Sequence, residues 1–193
     1  MAHSKAFSLI ELLIAIIISS ILVSATVSVY GLFRRSVNQD QTQSDSVQSA
    51  RVAMDRLVRE IRQTPDIRTV FPADPSDLSV AQPGEIEFED GNVANPATDT
   101  LTYRHYYLTN RTLTLEVREC FFAGQNSRVH WSDVDTNGIP PTCQAINGRT
   151  QDIAQNVSSV AFYGRQPLQI VITTTNSAGQ SYLLQSSVNS RNM

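Results

Sequence analysis

Hydrophobic positions fall into three regimes along this chain. From Phe7 to Phe33 they are nearly continuous, FSLIELLIAIIISSILVSATVSVYGLF, and Glu11 is the sole charge. As a helix at ~1.5 Å per residue this stretch is about 40 Å long, more than the ~30 Å of a bilayer's hydrocarbon core. From Arg34 to Thr64 there is no Gly or Pro, and the apolar residues thin out to Val47, Ala50, Met54, Leu57, Val58 and Ile61. Their three- and four-residue spacing predicts one apolar helical face. Asp55 and Arg59, four apart, predict an exposed pair, and Pro65 ends the run. One continuous helix from about Phe7 to Gln63 is expected.

Beyond Pro65 the period changes to that of strands. Ile67–Phe71 and Glu85–Glu89 are short candidates on either side of a Pro/Asp/Ser loop from Pro72 to Gly84. Thr100–Leu108 and Arg111–Arg118, joined by Thr109-Asn110, read as the clearest hairpin. Pattern alone leaves open whether Glu119-Cys120-Phe121-Phe122 continues the second strand. Ala123 to Arg149 is loop-like in composition, and strands return at Val157–Tyr163, Leu168–Thr175 and Tyr182–Val188, with Asn176–Gln180 as a turn.

Composition adds two points. Fifteen basic and eighteen acidic residues give a net charge of -3, which argues against a general polyanion-binding surface. The two cysteines, Cys120 and Cys143, both follow the apolar segment and form a candidate disulfide in an oxidising compartment; two unpaired thiols are the alternative.

Three readings compete for the N-terminal segment. A secretory signal peptide has Lys5 as its charged n-region and cleavage after Val23-Ser24-Ala25, before Thr26, but its apolar run normally stops at ~7–15 residues. A plain single-pass anchor leaves Glu11 unexplained, at a burial cost of roughly 2.5–3.5 kcal/mol or more. The third reading accounts for both features. A short polar leader, residues 1–6, ends in the small residue Ala6 and is followed by Phe7-Ser8-Leu9-Ile10-Glu11-Leu12-Leu13-Ile14. This resembles the class III signal of type IV pilins and type II secretion pseudopilins. The family's usual residue before the cut is Gly, and Ala6 is nearly as small. Arg34 and Arg35 follow the apolar run while only Lys5 and the amine precede it, so orientation rests on the motif rather than on the positive-inside rule.

The resemblance implies an α+β pilin fold, a long N-terminal helix packed on an antiparallel β-sheet head. It divides the chain into a leader (1–6), a transmembrane or filament-core helix (7–33), an amphipathic continuation (34–64) and a periplasmic β-rich head (65–193) carrying both cysteines. A prepilin peptidase of the bacterial inner membrane is expected to cut between Ala6 and Phe7 and to N-methylate Phe7. In a filament core a buried amine and a buried carboxylate are each costly alone and tolerable together, so Glu11 is expected to neutralise the Phe7 amine of an adjoining subunit. Ser19, Ser20, Ser24, Ala25 and Ser28 are small enough for close helix approach. Arg51 to Gln63 further resembles J-type minor pseudopilins and W-type minor pilins, and Val157–Tyr163 is a looser match to the same group. The implied function is that of a non-enzymatic minor subunit that primes or caps a type IV pilus or a secretion pseudopilus together with other pilins.

Candidate sites in the head are sparse. Asp133-Val134-Asp135-Thr136-Asn137-Gly138 has the spacing of the first half of an EF-hand loop. It offers a possible Ca2+ site from Asp133, Asp135, Asn137 and the Ile139 carbonyl. The twelfth position is Gln144 rather than Glu, and such clusters are also ordinary turn material. His105 among Tyr103, Tyr106 and Tyr107 reads as sheet surface, and His130-Trp131 as packing under the cysteine loop or an exposed contact. Arg104, Arg111, Arg118 and Arg128 beside those tyrosines raise the alternative of a DNA-binding competence subunit. Glu116, Glu119 and the net charge weaken it, and nucleic acid is not the expected partner. There is no zinc spacing, no Gly-x-Ser-x-Gly and no phosphate-binding Gly loop.

Overall fold

The computed structural model describes residues 9–72, 83–91, 101–164, 167–176 and 179–190. The Ala6–Phe7 bond and most of the expected 72–84 loop lie outside them. The chain divides into two units, residues 1–42 and 43–193. Helix α1 (Leu9–Gln63) supplies the described part of the first unit and opens the second.

In the second unit α1 presents Ala50, Ala53, Met54, Leu57 and Ile61 to the core, with Val58 partly buried beside them. This is the predicted face. The ion pair that forms along it is Arg56–Glu60, one position on from the predicted Asp55/Arg59. The helix stops at Gln63. Buried Thr64 then sets its hydroxyl 2.7 Å from the carbonyls of both Asp66 and Glu89. Gly91 passes so close to that end that a Cβ on it would lie 1.8 Å from the Gln63 carbonyl oxygen, so no larger residue fits there.

Among the described residues, seven antiparallel strands form two sheets. The first has the order β1-β2-β3-β4, from β1 (Ile86–Glu89), β2 (Tyr103–Thr109), β3 (Thr112–Phe121) and β4 (Thr142–Gln155). The second has the order β5-β6-β7, from β5 (Val157–Tyr163), β6 (Leu168–Thr175) and β7 (Ser181–Val188). Ile86, Phe88, Tyr106, Leu113 and Leu115 of the first sheet and Val160, Phe162, Ile170 and Ile172 of the second join the helix residues in one core.

Four sequence expectations need correction. Ile67–Phe71 is not a strand; Ile67 makes only an isolated bridge to Phe88. The β2–β3 turn is Asn110-Arg111 rather than Thr109-Asn110, with φ of 47° and 63°, the positive values that a tight two-residue hairpin demands. His105 is buried rather than at the sheet surface. The expected 123–149 loop ends early, because β4 begins at Thr142. It escaped notice because it is an edge strand exposed over most of its length, so its sequence shows no alternation. The open question at Glu119–Phe122 is settled: β3 runs on through Phe121.

Candidate functional site

The N-terminal stretch of α1 is long and apolar enough to cross a membrane. Its large side chains, from Leu9 and Ile10 to Leu32 and Phe33, are exposed. Four hydroxyls within it are satisfied locally. Ser20 donates to the Ile17 carbonyl, Ser24 to Ser20, Thr26 to Leu22 and Ser28 to Ser24, all at 2.8–2.9 Å. Each therefore carries its own hydrogen bond into apolar surroundings, which removes most of the cost of a polar group there. Leu12, Ala15, Ile16, Ser19, Ser20 and Val23 line a shallow groove on the helix. Four-residue spacing sets Glu11 in line with Ala15 and Ser19 at its edge.

In the head the cysteines are brought together. Antiparallel register places Cys120 of β3 opposite Cys143 of β4, and they form a disulfide. It lies beyond an irregularity in which β3 advances from Glu116 to Arg118 while β4 advances from Thr150 back to Ala145. The bridge thus fastens the far end of a ladder that the bulge interrupts.

Asp133 and Asp135 both accept hydrogen bonds from backbone N–H groups of their own loop. Asp133 accepts from the His130 N–H at 2.8 Å. A single oxygen of Asp135 accepts from the N–H groups of Asn137 and Ile139, both at 2.8 Å. The Ile139 carbonyl is taken by the Asp135 N–H at 3.0 Å. The Ile139 amide contact pulls the Asp135 carboxyl below its usual range. These hydrogen bonds cap the turns of the loop. Among the described residues no three His, Cys, Asp or Glu side chains gather as metal ligands.

The four arginines weighed for DNA are each engaged within the chain. Arg104 pairs with Glu60 and Asp90, Arg118 with Glu116, and Arg128 with Glu119. Arg111 donates to the Thr175 carbonyl at 2.5 Å. Tyr103 and Tyr106 are fully buried, so neither offers a ring for base stacking.

Two polar clusters were not anticipated. At the first, Glu60 of α1 receives Arg56, Arg104 and the Tyr106 hydroxyl. Burial, then the Glu60 contact, raises the Tyr106 pKa. At the second, the Trp131 indole N–H donates to Asp66 at 2.9 Å, and its backbone N–H donates to the Tyr103 hydroxyl at 3.1 Å. His130 lies 3.4 Å from Glu89 there. Burial raises the Glu89 carboxyl above its usual range, opposed by His130. The available sequence signal for the first cluster was the position of Glu60, between the core residues Leu57 and Ile61. For the second, the sequence singled out His130-Trp131 but not their partners Asp66, Glu89 and Tyr103.

Residues 1–27 match the profile of the prokaryotic N-terminal methylation motif. No curated protein and no solved structure matches the chain. That motif, at the head of a long apolar helix leading into antiparallel sheets, supports placing the chain among the precursors of the type IV pilin and pseudopilin family.

Proposed function

We propose that the chain is a minor pilin or pseudopilin. In this reading it inserts into the bacterial inner membrane with residues 65–193 in the periplasm, and is cut between Ala6 and Phe7 by a prepilin peptidase. It then joins other pilins to prime or cap a type IV pilus or a type II secretion pseudopilus. Its role is structural rather than catalytic. The observation that carries the reading is the methylation motif over residues 1–27, running into an exposed apolar helix whose only charge up to Phe33 is Glu11.

Glu11 is assigned the neutralisation of the Phe7 amine on an adjoining subunit. Slippage along the filament axis leaves both charges unpaired in apolar surroundings, so the pairing selects one register. The Ala15–Ser19–Ser24 groove provides for close helix approach beside it. Glu11→Ala is expected to insert in the membrane normally and to lose co-purification with partner subunits. Unchanged incorporation contradicts this role.

A further inference from the structure

An asparagine followed by glycine is open to attack by its own backbone, because glycine has no Cβ to shield the nitrogen that follows. That dipeptide occurs twice in the chain, at Asn137-Gly138 and Asn147-Gly148. The two sites are alike in most respects. Both asparagines are exposed. Both glycines have positive φ, 75° and 78°, and a Cβ on either would meet nothing within 4 Å. Their backbones are held differently.

Asp135 clamps the first site. Its Oδ1 accepts from the N–H groups of Asn137 and Ile139, both at 2.8 Å, and its carbonyl accepts from the Gly138 N–H at 3.0 Å. Three successive amides are thus tied to one residue, the Gly138 nitrogen among them. The second site lies in the β4 bulge. The register passes from Glu116 opposite Thr150 to Arg118 opposite Ala145, so residues 146–149 have no rung on β3. β4 is also the edge of its sheet, with no second neighbour among the described strands.

We propose that Asn147 is a site of spontaneous deamidation, and that the Asp135 clamp protects Asn137 from the same reaction. The Gly148 backbone nitrogen gives its proton to solvent and attacks Cγ of Asn147. The new N–Cγ bond closes a five-membered succinimide, an intramolecular step favoured by proximity. The Cγ–Nδ2 bond breaks, and the departing nitrogen takes up a proton from solvent and leaves as ammonia. Water then opens the ring at either carbonyl, which yields aspartate or isoaspartate. Nothing is oxidised or reduced, and water is the co-reactant. Ring closure requires the backbone to turn the glycine nitrogen towards Cγ. At 146–149 that turn breaks no rung of the ladder, whereas at Gly138 it breaks the bond to Asp135. The same bulge accommodates the extra backbone carbon of isoaspartate without disturbing the rungs on either side of it.

The test incubates the full chain in detergent at mildly alkaline pH and follows both Asn-Gly peptides by mass and chromatography. Asn147 is expected to convert on the order of tenfold faster than Asn137, the ratio that one or two additional hydrogen bonds impose. Aspartate and isoaspartate are expected together. In urea, which removes the clamp, the two rates should converge. Asp135→Ala should raise the Asn137 rate in the folded chain and leave the Asn147 rate as it was. The parent comparison with and without urea stands whether or not the variant folds. A folded-chain rate at Asn137 that equals or exceeds that at Asn147 overturns the proposal. So do aspartate as the sole product, a rate ratio that persists in urea, and an unchanged Asn137 rate in the folded variant.

Discussion

The hydroxyl of Tyr106 donates to the carboxylate of Glu60 at 2.5 Å, tying the last turns of α1 to the centre of the first sheet. Arg104, two residues earlier on β2, reaches the other oxygen of the same carboxylate at 2.5 Å, and Asp90 holds the far side of its guanidinium. The Glu60 side chain is only 10% exposed and that of Arg104 20%. Removing the carboxylate therefore leaves a largely desolvated cation and a buried hydroxyl short of a partner. Glu60→Ala is expected to destabilise the fold by about 3 kcal/mol, the lower range for breaking a buried pair from one side. Glu60→Gln, which keeps an acceptor for Tyr106, should cost less. Urea unfolding followed through Trp131, the single tryptophan, measures both. Equal midpoints for the alanine variant and the parent contradict the assignment.

Tyr103 gives the head a defined alkaline limit. Burial pushes its hydroxyl up from 10.0 to about 12, against the opposing pull of the Trp131 N–H. The unfolded chain ionises this group from pH 10 upward while the folded chain does not, so the unfolded state binds fewer protons there. Stability is therefore fully present below about pH 10 and falls as the pH rises towards 12, by up to roughly 3 kcal/mol. Tyr103→Phe should make that decline shallower. An identical decline in the variant contradicts it.

The Cys120–Cys143 bridge closes a separation of 23 residues. The chain-entropy account assigns a loop of this size roughly 3 kcal/mol. Replacing both cysteines by serine should lower the unfolding midpoint accordingly and expose the β3–β4 ladder beyond the bulge to faster hydrogen exchange. Exchange rates at Arg118–Phe121 that match the parent remove the fastening role.

The helix and the second sheet were legible in the sequence because each is patterned against a core. Ala50, Met54, Leu57 and Ile61 repeat every three or four residues, and Leu168, Ile170 and Ile172 every second. β4 was not legible, because a strand that buries little on either face has no reason to alternate. Likewise, Glu60 and Tyr106 are 46 residues apart in sequence, and Asp66 and Trp131 are 65 apart. No local pattern encodes such meetings. At Asp135 the alternate-position acidic pattern is used locally, where one oxygen accepts from the N–H groups of Asn137 and Ile139. The N-terminal motif was legible as sequence, because it is a local pattern within residues 1–27.

The most direct test of the account is the mass of the N-terminal peptide from protein extracted from its native membrane. The account predicts a chain that begins at Phe7 and carries one added methyl group on its amine. A chain beginning at Thr26 contradicts it, because removal of the apolar stretch and Glu11 leaves no helix to enter a filament core.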